Sequence, residues 1–186
     1  MKRIFYTLIF ILTCSCTSAQ TVIDMAGEPV QNEMKNGDYY IKDINNYMQP
    51  YLGTWQYIDG NTEFRITLTK VEMYHDVDTD YNIDYYIDGL LISYKKIENE
   101  NVIFQSITDT YPTGIIKEFG KLNMSFTDYQ RNNEIFPVDL TLISTSLNQY
   151  NLKFVLDRFE RRNTYHDEHP DEPYFSVPNN IIMTKM

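Results

Sequence analysis

The sequence predicts an all-β protein, an antiparallel meander of short strands that closes into a small barrel, entered through one N-terminal helical turn. Three observations carry this expectation. Apolar and polar residues alternate with period two in successive segments after residue 52. Short polar turns separate those segments at close spacing. No helical periodicity of useful length follows Pro50.

Taken in order, residues 20–42 show neither period over most of their length and read as a flexible leader. Residues 43–48 form one helical turn, with Asp43 as N-cap and Pro50 ending it. The single domain then spans residues 43–186. In 63–69, Phe64, Ile66 and Leu68 point one way while Arg65, Thr67 and Thr69 point the other. Residues 84–95 repeat the pattern, with Gly89 marking a bulge or bend, and 101–108 continue it. Residues 122–126, 139–144, 151–156 and 181–185 supply the remaining strands, with turns at 128–137 and 146–149 and a long charged loop at 158–173. An open sheet would leave a wide apolar face in water, so closure or two facing sheets is expected.

The first nineteen residues carry an address. Lys2 and Arg3 precede the apolar run 4–12, and small and polar residues follow up to Ala19. That order is a secretory signal, and the run is too short to span a bilayer, which takes about 20 residues. Cleavage after Ala19 gives a secreted or periplasmic protein beginning at Gln20. The alternative is an outer-membrane lipoprotein acylated at Cys16, against which Thr13 occupies the place that wants a branched aliphatic. Cys14 and Cys16 are the only cysteines, so the mature chain has no thiol for catalysis, disulfides or metal. No later segment is long and apolar enough to cross a membrane. With 16 Lys and Arg against 26 Asp and Glu, the net charge of −10 repels nucleic acid and anionic lipid.

Gly53-Thr-Trp55 opens the first long strand and contains the only tryptophan. It resembles the Gly-x-Trp start of lipocalin-type (calycin) barrels, and Thr127-Asp-Tyr129 is similar to a second lipocalin motif. The resemblance implies that Trp55 plugs one barrel end, that Gly53 lets backbones approach, and that a basic residue, Lys153 or Arg158, stacks on the tryptophan. The long helix that lipocalins carry after the barrel has no counterpart. The order leader, Tyr51-Leu-Gly-Thr-Trp55, a strand ending in Leu68-Thr-Lys70, Ser125-Phe-Thr-Asp128 and the closing 176–185 also resembles an uncharacterised, domain-of-unknown-function family of exported Gram-negative bacterial proteins. That family brings no activity and no site residues.

Two clusters offer metal-ligating side chains. Asp76, Asp78 and Asp80 alternate with Asn82 and Asp84 beyond them, a calcium-like density of oxygens. However, Tyr81 and Ile87 stand where the turn glycine and bidentate glutamate of an EF-hand belong. His166 and His169 flank two carboxylates, but Pro170 and Pro173 argue for a loop without a third zinc ligand. No Gly-x-Ser-x-Gly elbow and no glycine-rich phosphate loop occur, so no cofactor is expected. The expected function is noncatalytic, with a small apolar ligand bound in the barrel. The alternatives are a calcium-assisted glycan-binding domain using 76–84 and surface tyrosines, and an envelope hydrolase with its site on 158–173.

Overall fold

A computed structural model describes residues 20–27, 34–158 and 164–186. Residues 1–19, where a signal is expected, lie outside the described residues, and Cys14 and Cys16 with them. The chain is all-β, and its strands join in one mixed sheet of eleven. They are β1 (Thr21–Asp24), β2 (Tyr39–Lys42), β3 (Gly53–Asp59), β4 (Thr62–Asp78), β5 (Ile83–Glu98), β6 (Asn101–Gln105), β7 (Ile115–Glu118), β8 (Lys121–Asp128), β9 (Glu134–Ser146), β10 (Gln149–Leu156) and β11 (Ile181–Lys185). A 3-10 turn at Gln49–Tyr51 leads into β3, and a five-residue helix, α1 (Thr164–Glu168), lies between β10 and β11. Pro50 stands inside the 3-10 turn rather than ending a preceding one. Its fixed φ suits the first helical positions, where a missing N–H costs nothing.

Consecutive strands from β3 to β5 and from β8 to β11 pair antiparallel, as the period-two pattern requires, and β11 returns to pair with β3. Asparagine takes the left-handed backbone in most of the turns, at Asn82, Asn99, Asn132, Asn133 and Asn148. The expected closure into a barrel does not occur as a continuous ladder. The place between β5 and β8 belongs to residues 101–118, which pair with β5 as β6 and with β8 as β7. Between those strands, residues 106–114 hold β5 only at intervals. Ser106 N donates to Tyr94 O, Asp109 N to Ile92 O, and Leu90 and Thr113 exchange one bond pair. Pro112 in this stretch has no N–H to give, and Gly114 takes a φ of 130°.

Inward residues of both halves nevertheless meet in one core. The rings of Phe64 (β4), Tyr94 (β5), Phe126 (β8) and Phe154 (β10) contact one another at centroid distances of 5.0–6.0 Å. Trp55, Ile66, Leu90, Val138, Leu152 and Met183 are completely buried around them. The interior is therefore filled by side chains.

Two segments of the stretch expected to be a flexible leader are strands. β1 pairs parallel with β2, and β2 pairs parallel with β5 through Tyr40–Tyr86 and Ile41–Ile87. They cover the part of the β4–β5 hairpin that projects past the start of β3. A bulge between Val71 and Tyr74 turns that projection, and Met73 takes a left-handed φ of 55° there.

Candidate functional site

The end of the sheet around Trp55 is built from the last strand and the first. Antiparallel pairing of β11 with β3 sets Lys185 opposite Trp55. Trp55 is fully buried, and its indole N–H donates to Tyr51 O at 2.7 Å. The Lys185 ammonium lies 5.2 Å from the indole centroid and donates to Pro50 O at 3.2 Å. A cation over an indole face gains about 0.5–1 kcal/mol when exposed. The basic partner of the tryptophan is thus Lys185, not Lys153 or Arg158. Lys153 points outward from β10, and Arg158 sits over the Tyr174 ring. Gly53 serves a φ of 107° rather than close packing. A Cβ there would meet only Lys185 Cε, at an ordinary 3.5 Å.

Beside this pair opens a groove of about 580 Å³, lined by Gln49, Phe119, Asn148, Gln149, Tyr150 and Lys185 together with Trp55, Asn151, Thr145 and Thr184. Phe119, half-exposed, comes from the β7–β8 turn and is held edge-on by Tyr47 and Tyr150. The β9–β10 turn supplies Asn148, in left-handed conformation, and the start of β10 supplies Gln149, whose side-chain oxygen accepts from Ser146 Oγ at 2.7 Å. Lys185 is the one charged residue of the lining, which holds no carboxylate. None of Phe119, Asn148, Gln149 or Lys185 stood out in the sequence as a site residue.

The acidic stretch does not converge. Asp76 is buried and accepts from Tyr111 OH at 2.6 Å; burial first, and then the hydrogen bond and charge of Asp76, push the Tyr85 phenol up to about 12. Asp78 caps the turn by accepting from the N–H of Asp80 and Tyr81. Asp84 binds His75 Nε2 at 2.7 Å, and the imidazole stacks on Tyr86. Asp80 itself is exposed. His166 packs on Tyr174, while His169 lies on Tyr165 and 3.8 Å from Glu172. Among the described residues, no three His, Cys, Asp or Glu side chains group to hold a metal.

Two further carboxylates are buried in polar clusters. At the end opposite Trp55, Asp128 of the Thr-Asp-Tyr motif accepts from the N–H and Oγ of Ser176. Lys96 donates to Ser176 O at 2.7 Å and to Gln130. Burial first, and then Arg131, pull the Lys96 ammonium below its ordinary value, against the opposing pull of Asp128. This cluster ties the β10–β11 connection over the core. On the projecting hairpin, Asp88 accepts from Tyr40 OH and from the N–H of Asp43 and Met73. Lys70 lies 3.6 Å from both Asp43 and Asp88.

No helix among the described residues is long and apolar enough to cross a membrane. Neither a curated protein nor a solved structure matches the chain. Residues 1–119, from the N-terminus through β7, match the profile of a family of unknown function (DUF6705), and the chain belongs to that family.

Proposed function

We propose that this is an exported, noncatalytic binding protein whose sheet derives from a lipocalin-like barrel opened along the β5–β8 seam, and that it takes its ligand at the Trp55 end. The reading of export rests on the basic, apolar and small-residue order of residues 2–19. The lipocalin-like reading rests on Gly53, Trp55 and the cation of Lys185 over the indole, reached by pairing the last strand with the first. One observation carries the binding site. The core is packed with side chains, whereas the groove beside Trp55 combines a half-exposed aromatic with several uncommitted polar groups. The ligand is therefore a small molecule with both an apolar face and hydrogen-bonding groups, held outside the core.

The lone tryptophan makes the test direct. Displacing or burying the Lys185 ammonium changes the field at the indole, so a ligand in the groove shifts Trp55 fluorescence. Screening a small-molecule library by that signal, with Phe119→Ala as the control, checks the site. Hits whose affinity is indifferent to Phe119→Ala would refute the placement. Intact mass of protein from its native envelope checks the address, with a chain starting at Gln20 as the expected outcome and an acylated Cys16 as the contrary one.

A further inference from the structure

We infer that the ligand of this groove is a neutral saccharide, an inference that rests on the groove being the binding site. The lining has the two parts that sugar recognition needs. A pyranose offers one C–H face, which packs on an aromatic surface, and a rim of hydroxyls that each donate and accept. Phe119 is half-exposed and locked in place by edge contacts to Tyr47 and Tyr150, at 6.0 and 6.1 Å between centroids. An anchored aromatic loses little side-chain freedom on binding, which keeps its stacking energy available.

Around it stand side-chain amides, each with donors and an acceptor in one plane. Gln49, Asn148 and Asn151 make no side-chain hydrogen bond to the described protein, and Gln149 uses only its carbonyl oxygen. This contrasts with the hydroxyls of Tyr40, Tyr111 and Tyr129, each committed to a carboxylate. A groove built for an aliphatic ligand would leave those amides desolvated without partners, at a cost for each. A cationic ligand would want carboxylates, and on a chain with 26 acidic side chains the lining contains none. Lys185 already donates to Pro50 O and faces the indole. It holds the floor of the groove, and a strongly anionic ligand would still meet the net charge of −10.

The test is titration of the mature protein with cellobiose, chitobiose, digalacturonate and decanoate, followed by Trp55 fluorescence and by saturation-transfer NMR on the probe molecules. Cellobiose or chitobiose should bind, with ring C–H protons receiving the strongest transfer. Phe119→Ala and Asn148→Ala should each weaken that binding by about fivefold or more, as removal of a buried anchor does. Asp80→Asn, on the distant hairpin turn, should leave it unchanged. Decanoate binding instead, with the same sensitivity to Phe119→Ala, overturns the saccharide assignment, and digalacturonate binding in place of the neutral sugars overturns the neutrality of the ligand; either leaves the groove standing. Sugar binding that ignores both substitutions overturns the groove as its place. Absence of binding by all four probes overturns the saccharide assignment outright.

Discussion

Replacing Asp88 with asparagine tests how the N-terminal strands are held. Asp88 is completely buried on β5. One oxygen accepts from Tyr40 OH at 2.5 Å and Met73 N at 3.0 Å, and the other from Asp43 N at 3.0 Å, with Lys70 at 3.6 Å. Asparagine fills the same volume but turns one acceptor into a donor, which then faces another donor whichever way the amide lies. It also removes the charge opposite Lys70, which keeps Asp43 and Glu72. Hydrogen bonds to a charged group contribute about 1.5–3 kcal/mol, and a buried donor left unpaired costs about 1–3 kcal/mol. Asp88→Asn should therefore cost about 2–4 kcal/mol, equivalent to a fall in Tm of about 4–16 °C for a chain of this size. Hydrogen exchange should show the loss first in β1, β2 and the Met73 bulge. Burial pushes the Asp88 carboxyl up, but Tyr40, the two backbone N–H groups and Lys70 outweigh it and hold it below its ordinary 3.8. The contribution is thus present above the unfolded value and vanishes as pH falls through the lowered folded one. The wild type should lose this increment only below about pH 4, and the variant should lack it at every pH. Urea melts across that range measure both. A variant within about 0.5 kcal/mol of the parent, the spread ordinary surface changes show, would refute the account.

Three other outcomes are expected. Trp55→Ala should cost about 3–5 kcal/mol in urea melts, as truncation of buried aromatics does, and a far smaller cost would defeat its role as the plug of that end. Gly89→Ala would place a Cβ 2.8 Å from Pro112 Cβ and 3.2 Å from Pro112 C. It should destabilise by about 1–3 kcal/mol, with partial relief in a Pro112→Gly background, and indifference would mean that residues 106–114 do not press on β5. Calcium at millimolar concentration should raise Tm no more than sodium chloride of matched ionic strength, and a calcium-specific rise lost in Asp78→Asn would reverse that expectation.

Most strands were legible because their inner residues reach one core. The alternation of Phe64, Ile66 and Leu68 in β4, or of Leu152, Phe154 and Leu156 in β10, is the direct imprint of that burial. The pattern fades where the core ends. Residues 70–78 continue β4 without apolar alternation because their buried contacts are polar and lie off the core, with Asp76 accepting from Tyr111 OH, and with Lys70 and the Met73 N–H meeting Asp88. β1 and β2 have four residues each, and their parallel partners lie far along the chain, so no local period marks them. The break of the expected barrel sits at Pro112 and Gly114, residues that a period-two reading of 101–108 stops short of. The site was half legible. Gly53 and Trp55 marked the end where the groove lies, and a meander that closes on itself sets its last strand against its first. That reasoning alone would have chosen Lys185 over Lys153 and Arg158. Phe119 and Asn148 sit in turns, and Gln149 and Asn151 at the start of β10 beside one, where polar residues are the rule and carry no signal of their own.

The placement of the carboxylates is the reason to look for function at the groove rather than among the acids. Asp43, Asp76, Asp88 and Asp128 are all buried, and each accepts from a tyrosine, a serine or backbone N–H groups. Each also sits where a segment with few apolar residues must be fastened to the sheet. Asp43 fixes the turn before the 3-10 helix, Asp76 meets Tyr111 of the irregular 106–114 stretch, Asp88 holds β2, and Asp128 holds the β10–β11 connection. Removing a carboxylate that accepts from several such donors leaves all of them without a partner at once. These four therefore fasten those segments to the sheet as apolar anchors do elsewhere in the core. The groove has the opposite character. Its polar atoms are amides and hydroxyls with few protein partners, its aromatic is fixed and half-exposed, and the only charge in it is turned to the floor. At a surface whose hydrogen-bonding capacity is left open around a rigid ring, a ligand adds bonds without breaking any that the fold depends on.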